Sequence, residues 1–523
     1  MRRAFRTATL AALTLSSQFL ATSALADDRP SLRVGVASLP DGFAPSQNAS
    51  NVGQRINYSL FDHFIKRAYW EGENGDGGAL VPSIARSWEQ LSPTEWEITL
   101  REGVTFHDGT ELTAEDIAWN FGEERMLGED RIVRRGPSYF GTFKEVEATG
   151  PYTLRIETHQ PDPAFLKRFT TPFAFVVPRE HFEEVGLEGF NLDPVGTGPY
   201  QLAEFQPGEF VRLEAFDEYW GGEPPVASIT FYEIPEFAGR MTALFNGEVD
   251  IITNVTPDQV PVIEGREDFD VRPALIDNHR MARINTLRPL MGDKRIRQAL
   301  AHAIDRELIV DELWAGYSRV PKTMNFPGHG DLYFPERETL LDHDPEKARA
   351  LLEEAGYDGE EIIFRVTGNY YTNYLQAAQV MQQMWDEVGL NVKIEVRDSW
   401  GTVREGGYDI LNGSLGMQMN DVLHPIWLAL SPSHSHLREG HANQIWRATD
   451  EWLAFGERLN TEMDPEARGE AFKEMVSYLE DQAFILPLFQ AVEFYGVRAD
   501  IAWEPYSFWP MDFSDRNLAF AAE

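Results

Sequence analysis

The chain has no cysteine. It can therefore form no disulfide, bind no metal through sulfur and use no thiol nucleophile, so burial alone must hold its cores together. Positive charge is scarce: 46 lysines and arginines stand against 84 aspartates and glutamates, a formal net charge of -38. A field of that sign repels phosphate backbones and anionic membrane surfaces, which excludes nucleic acid as a partner. Beyond the N-terminus no apolar run reaches the length of a bilayer span. Catalytic signatures are missing as well. Gly413-Ser414-Leu415-Gly416 lacks the spacing of a nucleophile elbow, and there is neither an H-E-x-x-H nor a Walker loop. Among so many acids a glycosidase pair could not be singled out. The expectation is a protein that is not an enzyme and needs no cofactor.

What remains is ordinary folded composition, 43% hydrophobic and 25% charged, over 523 residues. That is too long for one core, so two or three lobes are expected. Residues 1–26 read as a secretory signal: Arg2, Arg3 and Arg6 come first, Ala8 to Leu15 is mostly apolar, and Ala24-Leu25-Ala26 forms a cleavage site. The mature chain, starting after about Ala26, lacks the cysteine that lipid anchoring would need. It is expected to diffuse freely in a periplasm.

The densest local pattern runs from Pro82 to Phe121. Trp96, Ile98 and Leu100 alternate as a half-buried strand, Arg101-Glu102-Gly103 turns the chain, and Val104 and Phe106 resume the alternation. Asp108-Gly109 is a further turn, and Thr113 three residues before Asp116 is a capping box opening a helix. The residue order A-x-S-W-E (Ala85 to Glu89), L-R-x-G-V-x-F-H-D-G (Leu100 to Gly109) and L-T-A-E-D-I (Leu112 to Ile117) resembles the large bacterial extracellular solute-binding proteins of family 5. That family includes the periplasmic dipeptide-, oligopeptide- and nickel-binding proteins of ABC importers. Pro194 to Tyr200 (PVGTGPY), Tyr219 to Gly222 (YWGG), Arg295 to Gly316 and Asp344 to Tyr357 match the same family. PVGTGPY is no phosphate loop, because Pro199 and a strand follow where a helix and lysine are required.

Asp293, Asp305 and Asp344 each precede helical periodicity, and a stripe of Leu375, Ala378, Met381, Trp385 and Val388 leads into alternation at Leu390, Val392, Ile394 and Val396. Helix-to-strand succession of this kind builds an α/β lobe. The resemblance implies a two-lobed periplasmic-binding-protein fold with the ligand cleft between lobes. Lobe I would comprise residues 27–280, with an extra subdomain over about 60–190, lobe II residues 281–488, and residues 489–523 would return to lobe I. The crossings are expected near Asp277 to Arg283 and Pro487 to Tyr495. The implied partners are the permease subunits of an importer with their ATPases, and the receptor itself is expected to be a monomer.

The ligand site is expected on loops of the second lobe. Asn369, Tyr370, Tyr371 and Asn373 lie between a strand and a helix N-terminus, where α/β sheets present ligands. Trp400 and Arg404 follow the next strand, and Met417, Gln418, Asn420 and Asp421 the one after. The resemblance implies an Asp here that pairs with a peptide α-ammonium, at Asn420 or Asp421. Met417 replaces the usual Trp, and Gly368 stands near the position of a carboxylate-binding Arg. Arg404, Arg280 or His329 could substitute. A short peptide is the first ligand expected. An oligosaccharide, sugar-phosphate conjugate or chelated metal is the second. The cluster His424, His434, His436 and His441 reads as solvated loop, not as a metal centre.

Overall fold

A computed structural model describes residues 27–45, 50–322, 324–336, 339, 341–368, 370–432, 434, 436–441 and 443–521. The expected signal segment, Asn369 and the side chain of Trp400 lie outside the described residues.

Ten strands form one mixed sheet that runs through both lobes. Their spatial order is Val392–Arg397, Ile362–Thr367, Ile410–Gly416, Phe269–Ile284, Ile485–Arg498, Ile251–Ile252, Ser31–Val36, Ser228–Glu233, Phe210–Ala215 and Tyr200–Gln206. The two long central strands, Phe269–Ile284 and Ile485–Arg498, are antiparallel partners, and both expected crossings fall on them. The second is buried at every position but its last, as a strand covered on both faces must be. Their register shifts between Leu275 and His279. At this bulge the backbone N–H of Asp277 turns to the Ser507 carbonyl (2.6 Å), and the Asp277 carbonyl accepts from the N–H of Met417 (2.7 Å).

In the second lobe Ile362–Thr367 runs parallel to both neighbours, and helix Tyr374–Glu387 provides the crossover. Asp293, Asp305 and Asp344 cap their helices by accepting from Arg295, Leu308 and Lys347 N–H at 2.9, 3.0 and 2.9 Å. A four-stranded antiparallel sheet, Ala85–Ser92, Glu95–Leu100, Thr153–Thr158 and Phe143–Gly150 in that order, forms the extra layer of the first lobe. Its interior is aromatic: Phe169 touches the rings of Phe64, Phe121, Phe143 and Phe165 at 4.9 to 5.6 Å. The alternation at Val104 and Phe106 gives no second strand. Gly103 and Gly109, at φ 72° and 81°, bend the chain twice within seven residues, leaving a single bridge between Thr105 and Glu111. Both apolar residues are buried nonetheless.

Three of the family-like motifs, Leu100 to Gly109, Pro194 to Tyr200 and Tyr219 to Gly222, converge on one scaffold joint. Buried Asp62 accepts from Trp220 Nε1 (2.8 Å), Tyr219 Oη (3.2 Å) and Thr197 Oγ1 (3.3 Å) and pairs with Lys66 (2.6 Å). His107 is wedged between the backbones of Gly196 and Gly198, with Nδ1 accepting from Gly196 N–H and Nε2 lying 3.0 Å from the Gly198 carbonyl. A Cβ on Gly196 would lie 2.1 Å from the Leu60 carbonyl oxygen, so only glycine allows the loop to press against helix Asn51–Leu60. These motifs build the first lobe; they do not line a site.

Five buried histidines make stability depend on pH. Burial lowers His63, His279 and His424 to about 3, and His107 and His329 to about 4, from 6.5. The unfolded chain therefore binds more protons below about pH 6.5, and stability is lost as pH falls from there towards the folded-state values. Each should cost on the order of 1–2 kcal/mol at about pH 5. Urea unfolding is expected to show a clearly lower midpoint at about pH 5 than at about pH 7; equal midpoints would contradict it.

Candidate functional site

A cavity of about 520 Å³ opens between the lobes. Strand Ile410–Gly416 forms one wall and can do so because two of its residues are glycine. A Cβ on Gly413 would sit 2.9 Å from Arg283 Nε, and one on Gly416 would sit 2.6 Å from Asn278 Nδ2. The strand thus yields its volume to polar side chains of the neighbouring Phe269–Ile284.

Those side chains are Arg283 and Asn278, and both are buried, as is Arg280 between them. The Arg280 guanidinium lies over the Tyr371 ring, 4.2 Å from its centre, and donates to Asn278 Oδ1 at 2.9 Å. Arg283 donates to the Ser414 carbonyl at 2.6 Å and to His436 Nε2 at 3.0 Å. Tyr371 Oη is 3.1 Å from Ser414 Oγ, and the Tyr370 ring meets Tyr371 edge-on at 4.7 Å. From the first lobe come Arg134, Arg135, Ser138, Tyr139, Asn254 and Trp509; from the second, Arg404, Gln418, His434 and Arg438. Tyr139 Oη donates to Gln418 Oε1 at 2.8 Å, a direct bond between the lobes.

The charge of this lining is the reverse of the whole chain's. Six arginines face the cavity and one carboxylate, Glu493. That carboxylate is already held by Asn254 Nδ2 (2.9 Å) and Arg55 (3.4 Å). Burial, with Tyr371 and Glu493 acting against it, pushes the Arg280 guanidinium pKa down. Burial first, then Arg135, Arg283 and Arg404, lowers His434 to about 3, so this ring is neutral at pH 7.

The expected residues divide. Tyr370, Tyr371, Arg404 and Gln418 line the cavity. Asn373 does not: it caps helix Tyr374–Glu387 in the left-handed region, φ 54°, and its amide donates to the Leu313 carbonyl at 2.9 Å. Met417 is packed away, its terminal methyl against Gly328, where a Cβ would come within 2.2 Å of it. Asn420 is a tie between lobes, donating to the Gly78 carbonyl at 2.6 Å and accepting from Thr170 Oγ1 at 3.2 Å. Asp421 is buried and bidentate with Arg468 (2.5 and 2.8 Å), with Lys167 of the first lobe at 3.2 Å. Burial pushes its carboxyl pKa up, but Arg468 and Lys167 outweigh this and hold it well below the usual carboxylate range. The structure thus leaves Asp421 no role at the cavity.

The expected histidine cluster divides: His424 and His436 are buried, and His434 and His441 are half-buried. His436 is buried and His434 and His436 line the cavity with rings 4.8 Å apart. Both nitrogens of His436 are engaged, by Arg283 and by the Asn443 carbonyl at 3.3 Å. Among the described residues no group of three or more His, Cys, Asp or Glu could hold a metal ion. Two of the six arginines, Arg280 and Arg283, come from one long strand; three residues apart, their spacing gives no sign that both reach the cavity.

Residues 79–436 match bacterial extracellular solute-binding proteins, family 5 Middle. The chain is a two-lobed binding protein, and it belongs to this family. It is 26% identical over 350 residues to the dipeptide-binding protein of Escherichia coli (strain K12), covering 62% of this chain and 64% of that one. It is 29% identical over 307 residues to the glutathione-binding protein GsiB of Salmonella paratyphi A, covering 58% of each. The matched part spans less than two thirds of either relative. The ABC transporter-associated periplasmic binding protein DppA from Helicobacter pylori, in complex with peptide STSA, has the same fold: TM-score 0.81 at 18% identity, covering 94% of this chain and 99% of that one. Among the described residues no helix is long and apolar enough to cross a membrane.

Replacing Asp421 by Ala strands the buried Arg468 guanidinium without its counter-ion. It should cost about 3–5 kcal/mol of folding stability, read as a lower urea midpoint. An unchanged midpoint, with weaker ligand binding instead, would return Asp421 to the site.

Proposed function

We propose that the protein is the exported solute receptor of an ABC importer, working as a periplasmic monomer once its leader is removed near Ala26. It takes one small solute between lobe I (residues 27–280 and 489–523, including the subdomain over about 60–190) and lobe II (281–488), and delivers it to a permease driven by its ATPases. No covalent chemistry is involved, and the protein is not an enzyme. The observation that carries this reading is the cavity itself, lined from both lobes at once. A solute touching both linings binds the closed arrangement better than the open one and shifts the population towards it.

A short peptide is the first ligand reading, supported by the dipeptide- and glutathione-binding relatives. A non-peptide solute is the second. The specific observation in its favour is that Asp421, the carboxylate expected to meet a peptide ammonium, is spent on Arg468.

Native mass spectrometry of freshly purified protein tests the role. A retained solute, or a ladder of peptide masses, is the expected result, and release on partial unfolding should return the apo mass. Conversion of the solute into a different mass on standing would overturn the receptor reading.

A further inference from the structure

The cavity's charge sets the class of solute, an inference that rests on the receptor reading above. In a chain with net charge -38, six arginines against one carboxylate is a concentration of charge that the overall composition opposes. Among the described residues no carboxylate lies within ion-pair distance of Arg134, Arg135, Arg280, Arg283 or Arg438. Two of these, Arg280 and Arg283, are buried, so their guanidinium groups have left bulk water with only carbonyl, amide, imidazole and ring-face partners. Buried charge without a counter-ion is costly, and a neutral partner recovers only part of the lost hydration. Glu493 supplies only part of the missing charge, because Arg55 and Asn254 already hold it. The remaining donors point the same way. Trp509 borders the cavity with an indole N–H that has no partner among the described residues. A guanidinium is a planar fork of donors with no acceptor, and it matches carboxylate and phosphate in two parallel bonds.

We infer that the solute is a small polyanion bearing at least two carboxylate or phosphate groups, one on the buried pair Arg280 and Arg283 and another on rim arginines Arg134, Arg135, Arg404 and Arg438. The rim set is split between lobes, with Arg134 and Arg135 on the first and Arg404 and Arg438 on the second. Without an anion these groups repel across the cleft; an anion between them reverses the sign of that interaction. The same charges that choose the solute therefore couple its arrival to closure.

The test uses the full mature chain freed of retained solute, titrated calorimetrically with two matched pairs: Glu-Glu against Ala-Ala, and fructose 1,6-bisphosphate against fructose. The acidic member of at least one pair should bind about 100-fold more tightly than its neutral partner, and that pair identifies the source of the anion. Its affinity should fall steeply as salt is raised from about 0.02 to about 0.2 M. Arg283→Gln should weaken it about tenfold or more and flatten the salt dependence, Arg283→Lys should restore part of both, and Arg212→Gln on strand Phe210–Ala215, away from the cavity, should change neither. A neutral member binding as tightly as its acidic partner overturns the inference and leaves the receptor standing, as does a neutral solute retained in native mass spectra. No binding in either pair overturns the inference. If, in addition, no mass is retained by the untreated protein, the receptor reading falls with it.

Discussion

Everything in the molecule hangs on the pairing of Phe269–Ile284 with Ile485–Arg498. Two long antiparallel strands run side by side, and the ladder between them shifts between Arg280 and Met281 and is interrupted at Ile276 to Asn278. Backbone hydrogen bonds that the ladder loses there are recovered from Ser507 and from Met417. The joint is thus satisfied in its backbone hydrogen bonds although its ladder is broken. The cavity is built directly on this joint: Arg280 and Arg283 follow the bulge on one strand, and Glu493 sits on the other.

Closure of the lobes is supported by more than the cavity. Asn420 reaches the backbone of Gly78, Lys167 reaches Asp421, and one apolar cluster includes Phe64 and Phe169 from the first lobe with Trp452 and Phe472 from the second. These contacts surround the cleft and owe nothing to a solute. They explain why residues that sequence comparison points to as ligand contacts, Asn420 and Asp421, hold the frame.

The scaffold was legible in the sequence because its signals are local. Capping aspartates, the helix stripe ending at Trp385 and the glycine-bounded turns each declare themselves within a few residues, and the structure has them where periodicity puts them. The strand wrongly expected at Val104 and Phe106 shows the limit: alternation marks burial, and two positive-φ glycines decide that no ladder forms. The cavity was legible only in part. Tyr370 and Tyr371 could be found because a strand-to-helix loop is a local feature. Of the arginines, Arg404 was expected and Arg280 named as an alternative, but Arg134, Arg135, Arg283 and Arg438 could not be found, since segments far apart in sequence bring them to one cavity. The histidine loop was misjudged for the same reason. His436 looks solvated in sequence and is buried because Arg283, 153 residues away, reaches it.

The position of Ile485–Arg498 carries a consequence for how the chain is made. This strand is made about 200 residues after its partner Phe269–Ile284, yet it lies at the centre of the sheet, between Phe269–Ile284 and Ile251–Ile252. The C-terminal Trp503, Tyr506 and Phe513 complete the core around Leu32, Val34 and Phe231 from the opposite end of the sequence. A chain emerging N-terminus first cannot finish either lobe until almost all of it is present, because the closing contacts span the greatest sequence separations available. The architecture leaves the centre of the sheet open until this late strand is present to fill it.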